Sequence, residues 1–151
     1  MNLSKRVLVA FIIVVVVGVG ATVGLYFLSM GAAPPSRPLP PGCVKSPDGF
    51  LVVASTTGYN DSIAHGAPTK SWPIISVHQG QNVTITVCNT DVEAHGFQVT
   101  HYYDSNEVTI VPGQVIRVSF IADQAGSFDI YCDIFCAIHL YMQNGLLTVT
   151  A

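Results

Sequence analysis

Asn82-Val83-Thr84-Ile85-Thr86-Val87 alternates cleanly, with Val83, Ile85 and Val87 on one face. A period of two over β-branched residues marks a strand with one buried side. Gln79-Gly80-Gln81 leads into it as a turn. Outward in both directions the β pattern continues. Upstream, Phe50 to Ala54 is a short apolar run. Downstream, Phe97 to Tyr103 reads as a strand, and Val111-Pro112-Gly113-Gln114 as a turn with proline at its second position. Val115 to Ile121 sets Val115, Arg117 and Ser119 against Ile116, Val118 and Phe120. Ala125-Gly126 breaks the chain before Ser127-Phe128-Asp129-Ile130-Tyr131, and Gly145 precedes a last strand, Leu146 to Thr150. Tyr59 to Trp72 has little periodicity and is punctuated by Gly58, Gly66 and Pro68, so it reads as a long loop or insertion. No long 3.6-residue pattern appears after Leu28 and no internal repeat is visible. Six or seven short strands in about 100 residues imply an all-β sandwich or Greek-key barrel.

The start of the chain has a different character. Val7 to Leu28 is an unbroken run of apolar residues, glycine and one threonine. As a helix it would span about 33 Å, enough to cross a bilayer core. Lys5 and Arg6 precede it with no acidic residue, which places residues 1–6 in the cytoplasm and the rest of the chain outside. A cleaved signal peptide is the alternative, with Gly31-Ala32-Ala33 as its cleavage site, but a signal core is about 7–15 residues long and this run is longer. The expected organisation is a transmembrane anchor at 7–30, a spacer at 31–42 stiffened by Pro34, Pro35, Pro38, Pro40 and Pro41, and an extracytoplasmic domain at 43–151. The chain is thus expected in the cell membrane as a single-pass protein.

The chain has 151 residues, of which 10% are charged. From Cys43 onward, three basic residues (Lys45, Lys70, Arg117) face nine acidic ones, a net charge of −6. That sign disfavours nucleic acid and suits either simple solubility or a basic redox partner. An exported domain with an even count of cysteines invites disulfides. A Cys43–Cys88 bridge is one option that spacing leaves open. Asn60-Asp61-Ser62 and Asn82-Val83-Thr84 fit the N-glycosylation acceptor pattern.

The chemistry concentrates in Cys132-Asp133-Ile134-Phe135-Cys136-Ala137-Ile138-His139-Leu140-Tyr141-Met142. Two thiols, an imidazole and a thioether are soft or borderline ligands, and together they suit copper. Cys132 closes a strand, and Cys136, His139 and Met142 follow in the loop before the last one. In a sandwich this loop lies at one end, where it can meet His95, just ahead of the Phe97 strand. A distant histidine with a compact Cys/His/Met loop is the ligand logic of cupredoxin-type electron carriers. Two cysteines in place of one point to a binuclear centre.

Bland readings exist for each residue. Cys132 and Cys136 can bridge in a secreted domain, Met142 alone can be a core residue, His139 alone a surface one, and His95 alone a structural one. Their combination at this spacing weakens all of these. His65, His78 and His101 have no ligand-like partner by spacing, and Trp72 and Tyr59 read as packing residues. Zinc is the competing metal, since Cys2His2 sets are common structural sites, but Met142 and the all-β context argue against it. No nucleophile pattern, phosphate loop or carboxylate pair stands out.

Asp91-Val92-Glu93-Ala94-His95-Gly96-Phe97-Gln98-Val99, Val111-Pro112-Gly113-Gln114-Val115 and Ala125-Gly126-Ser127-Phe128-Asp129-Ile130-Tyr131-Cys132, with the two-cysteine loop, Met142 and Gly145, resemble subunit II of B-family haem-copper oxygen reductases. That subunit has one transmembrane helix, a spacer and a cupredoxin domain. The resemblance implies a binuclear CuA centre, two coppers per chain. Cys132 and Cys136 would bridge the metals, His95 and His139 would each bind one, and Met142 and the Ile134 carbonyl would be weak ligands. It implies an electron-transfer role in a cytochrome c oxidase-type complex, taking single electrons from a cytochrome c or a blue copper protein and passing them to haem in subunit I. The chain alone would be a carrier.

The loop departs from that pattern by one residue fewer before His139, and one extra residue lies between Asp91 and His95. Cys136-x2-His139-x2-Met142 matches the spacing of an amicyanin-type mononuclear blue copper loop. The alternative is therefore a membrane-anchored cupredoxin with a single copper, with Cys132 incidental. A metal-free β-sandwich interaction module is a third class. Nitrous oxide reductases also use CuA, but 151 residues leave no room for that enzyme's propeller domain and catalytic cluster.

Overall fold

The structure is a computed structural model that describes residues 37–59, 71–105 and 108–151. The described strands are β1 (Phe50–Ser55), β2 (Gly58–Tyr59), β3 (Ile74–His78), β4 (Asn82–Asn89), β5 (His95–Gly96), β6 (Gln98–Val99), β7 (Thr109–Ile110), β8 (Val115–Ile121), β9 (Gly126–Tyr131) and β10 (Gly145–Thr150), with one 3₁₀ turn at His139–Met142. One sheet has the order β2-β1-β4-β8, a second β3-β10-β9-β6, and β5 and β7 form a separate ribbon. β1 and β4 are parallel neighbours although β3 comes between them in sequence, and β3 lies in the other sheet beside β10, again parallel. The chain thus crosses between sheets, as the sandwich reading requires.

The alternation over Asn82–Val87 is realised: Val83, Ile85 and Val87 are all buried. Ile85 pairs with Val118 on β8 and with Phe50 on β1, which sets the register of the first sheet. From the second sheet Ile75, Val77, Phe128, Ile130, Leu147 and Val149 join the same core cluster. Each fully buried aliphatic or aromatic side chain contributes about 1.5–3 kcal/mol, so a one-residue slip that turned such a strand over would be strongly unfavourable.

Several elements differ from expectation, among them the short strands β2, β5 and β7, which are additional. Phe97 to Tyr103 does not continue as a strand. β6 stops at Val99, the chain turns through His101 at φ +72°, and Tyr103 comes back to pair with Val99. The His101 N–H donates to Asp104 Oδ2 at 2.8 Å, and its ring stacks on Phe128, so side-chain contacts hold a left-handed residue that propensity alone disfavours. β3 is additional: Ile75 and Val77 face the core while Ile74, Ser76 and His78 face outward. The Val111–Gln114 turn forms as read, closed by the Gln114 N–H on Val111 O at 3.0 Å with Gly113 at φ +80°.

Cys43 and Cys88 form a disulfide that closes a sequence separation of 45 residues. Just ahead of it, the Arg37 N–H donates to Thr90 O at 3.0 Å. The candidate anchor Val7–Leu28, the first half of the spacer (residues 31–36) and the Asn60 acceptor site lie outside the described residues. Among the described residues no helix is long and apolar enough to cross a membrane.

Candidate metal centre

His95 opens β5 and pairs with Ile110 on β7, so its backbone is fixed by a ribbon and its side chain is fully buried. Its Nε2 lies 2.9 Å from Asp91 Oδ2, one carboxylate four residues earlier and itself buried. Asn89, also buried, organises the approach. Its Oδ1 accepts the Asp91 N–H at 2.8 Å, and its Nδ2 donates to the carbonyls of Ile110 and Glu93 at 2.7 Å each. With Nε2 engaged by Asp91, the other ring nitrogen remains: His95 Nδ1 is buried and has no hydrogen-bond partner.

Cys132 follows the last residue of β9 and is 1% exposed. Its N–H donates to Met142 O at 2.9 Å, pinning the start of the ligand loop to its end. The thiol sulfur accepts the Gly96 N–H at 3.1 Å, and the S–H donates to Ile134 O at 3.1 Å. Gly96 must be glycine for this approach: a Cβ there would meet the Asp133 carboxylate and lie 2.9 Å from the Asp133 backbone nitrogen. Tyr59, buried against Phe97, donates its hydroxyl to Gly96 O at 2.6 Å. Burial, with the charges of Cys132, Asp133 and Cys136, holds that phenol well above its ordinary pKa and so keeps it a donor.

One ligand atom each from His95, Cys132 and Cys136 lie within 4.8 Å of one another, and all three residues are buried. The contact with Cys136, then the nearness of the His95 ring and the bond from the Gly96 N–H, pull the Cys132 thiol well below its usual range against the effect of burial. The same contact, with burial, pushes Cys136 up. Burial alone would lower the His95 pKa, but its interactions with Cys132 and Asp91 outweigh that and leave it raised.

The remaining expected ligands sit differently. His139 is partly buried on the 3₁₀ turn, and its Nδ1 lies 3.0 Å from the Ile134 carbonyl oxygen. Two atoms expected to reach copper thus face each other. Met142 is fully buried, and its carbonyl takes the Cys132 N–H. Gln143 Nε2 donates to Cys132 O at 2.8 Å and His139 O at 3.2 Å, tying both ends of the loop. His78 and His101 are exposed. The supporting residues Asn89, Asp91 and Gln143 were not singled out by sequence. Asp91 had a signal, because a carboxylate near a ligating histidine commonly accepts its second N–H.

The donor set fits a soft metal. A buried imidazole nitrogen with no partner, facing two thiols, matches what copper takes from a protein. The binuclear expectation is corrected here. The structure gathers one group of three donors, His95, Cys132 and Cys136, rather than the set two coppers would need, and His139 is held outside it. A single-copper site replaces the CuA pair, and Cys132 is a member of it rather than incidental.

Residues 71–149 match the model of the cupredoxin-like domain. The chain is 37% identical over 89 residues to the nitrous-oxide reductase of Pseudomonas fluorescens, covering 56% of this chain and 14% of that protein. It is 33% identical over 111 residues to the nitrous-oxide reductase of Ralstonia nicotianae, covering 71% of this chain and 17% of that one. Among solved structures, the multicopper oxidase mgLAC aligns with a TM-score of 0.51 at 19% identity, over 68% of this chain and 38% of that one, which speaks to fold alone. These similarities and the three-donor site overturn the assignment to subunit II of a B-family haem-copper reductase, and with it membership of a cytochrome c oxidase-type complex. With the sandwich, the buried donor group and the matched domain in agreement, the chain belongs to the cupredoxin-like family.

Proposed function

We propose that this chain is a membrane-tethered cupredoxin that holds one copper and carries single electrons outside the cytoplasm. The observation that carries the reading is the unpartnered His95 Nδ1 beside the Cys132 and Cys136 sulfurs in a buried site. His95, Cys132 and Cys136 would hold the metal, with the buried Met142 as a further donor the loop offers. When bound, copper supplies a one-electron couple. The protein contributes the rest: Asp91 orients His95, Gly96 donates to Cys132, and the core excludes water from the sulfurs.

The Cys43–Cys88 disulfide supports an oxidising compartment, and the apolar run Val7–Leu28 supports a tether at its cytoplasmic side. The net charge of −6 from Cys43 onward supports a basic electron-transfer partner, of the cytochrome c or blue copper type, over nucleic acid. The identity to nitrous-oxide reductases supports a copper redox role for the domain. The chain spans 14% of the Pseudomonas fluorescens enzyme, and the activity of that enzyme is not part of the proposal.

Copper quantitation with electron paramagnetic resonance on the purified full chain tests the reading. One copper per chain with a four-line hyperfine pattern is expected. No stoichiometric copper, or two coppers sharing one unpaired electron, would overturn it.

A further inference from the structure

Glu93 stands on the loop between β4 and β5, two residues before His95, and reaches the other ligand-bearing loop. Its Oε2 accepts the N–H of Ala137 at 2.9 Å, across a sequence separation of 44 residues. Ala137 follows Cys136 directly, so this bond restrains the peptide unit that carries the second thiol.

The other end of Glu93 is fixed as well. Its backbone carbonyl accepts Asn89 Nδ2 at 2.7 Å, and that same amide group donates to Ile110, whose backbone pairs with His95. Asn89 is fully buried. A continuous series of bonds therefore runs from the His95 ribbon through Asn89 and Glu93 to the Cys136 loop. The side-chain part of this link is exposed, so its value lies in geometry more than in stability. The Glu93 carboxylate oxygen lies 2.9 Å from the backbone nitrogen of the residue that follows Cys136. A fixed negative charge near the sulfur favours the more positive oxidation state of whatever the sulfur binds.

We propose that Glu93 is a positioning residue that clasps the Cys136 loop to the His95 ribbon through Ala137, slowing release of the bound metal and lowering the reduction potential of the site. The proposal rests on the single-copper reading above.

The test compares the full chain with E93Q and E93A. Three quantities are measured: the rate of copper loss to a chelator, the reduction potential, and amide hydrogen exchange at Ala137 in the metal-free protein. E93A loses both acceptor and charge, so copper escapes about tenfold faster and the Ala137 amide loses protection. E93Q keeps a carbonyl acceptor, so it restores most of the protection and the slow release while its potential still moves to a more positive value. An E93A protein with wild-type release and wild-type Ala137 exchange overturns the role of Glu93 alone. A wild-type chain that takes up no copper overturns the single-copper reading and the metal-holding role together, whatever the exchange data show.

Discussion

Asp91 Oδ2 lies 2.9 Å from His95 Nε2, with the histidine side chain wholly buried and the aspartate side chain 5% exposed. This contact decides which face of the imidazole is left for a metal. It engages Nε2 and leaves the buried Nδ1 as the nitrogen open to a metal, the kind of second contact that raises the basicity of a ligating histidine.

Asp91→Asn is accordingly expected to weaken copper binding about 10–100-fold while leaving the fold intact. Competition against a chelator of known affinity measures the effect. Unchanged affinity would mean that the ribbon alone, through the pairing of His95 with Ile110, orients the ring.

Cys132→Ser and Cys136→Ser each remove one of three donors, and stoichiometric copper should be lost or its visible and paramagnetic spectra altered in both. The Cys132 variant is the sharper of the two. A spectrum that survives it unaltered strikes Cys132 from the donor set and restores the loop reading built on Cys136, His139 and Met142.

Copper should also stabilise the fold. At a free concentration 100 times the dissociation constant the gain is about 2.7 kcal/mol, read as a shift in thermal midpoint on adding the metal. His95→Gln should unfold at the same temperature with and without copper. A metal-dependent shift of wild-type size in that variant would place the stabilising copper elsewhere.

Gly96→Ala forces a Cβ against the Asp133 carboxylate and to within 2.9 Å of the Asp133 backbone nitrogen. The side chain can swing away, but the backbone cannot without moving the Cys132 loop. A loss of about 1–3 kcal/mol in urea unfolding is expected, together with weaker copper binding. Wild-type stability would show that the Cys132 loop yields more easily than its hydrogen bonds suggest.

Replacing Cys43 and Cys88 together by serine opens a 45-residue separation, which the chain-entropy account values at about 4 kcal/mol. Denaturant unfolding of the metal-free double variant under oxidising and reducing conditions checks it. The wild type should lose stability on reduction, and the double variant should not respond.

The parts of the molecule that periodicity controls were legible in the sequence. Val83, Ile85 and Val87 face the core as their spacing predicts, and so does Val118 on β8. The Cys132–Met142 cluster and its meeting with His95 were legible because soft ligands are rare and the end of a sandwich is where such a loop must lie. Phe97 to Tyr103 was misread because a left-handed histidine held by Asp104 and Phe128 leaves no trace in residue type. Ile74–His78 does alternate, but two adjacent isoleucines beside an aperiodic loop blurred its phase. The number of metals was beyond reach for a different reason. Spacing says that His139 is near the loop, but not that its Nδ1 sits on the Ile134 carbonyl, outside the three-donor group. Nor could spacing show that Asn89, Glu93 and Gln143 are the struts, because polar residues reveal their partners only when the chain is folded.

The Cys43–Cys88 bond has a mechanical consequence. Cys88 sits on β4, which is paired on one side with β1 and on the other with β8. A pull on the chain ahead of Cys43 therefore enters the sheet at an interior strand, through a covalent link, and bypasses β1. Under tension at that end β1 is shielded from peeling first, and the load falls on β4, which is held by five paired positions with β1 and seven with β8.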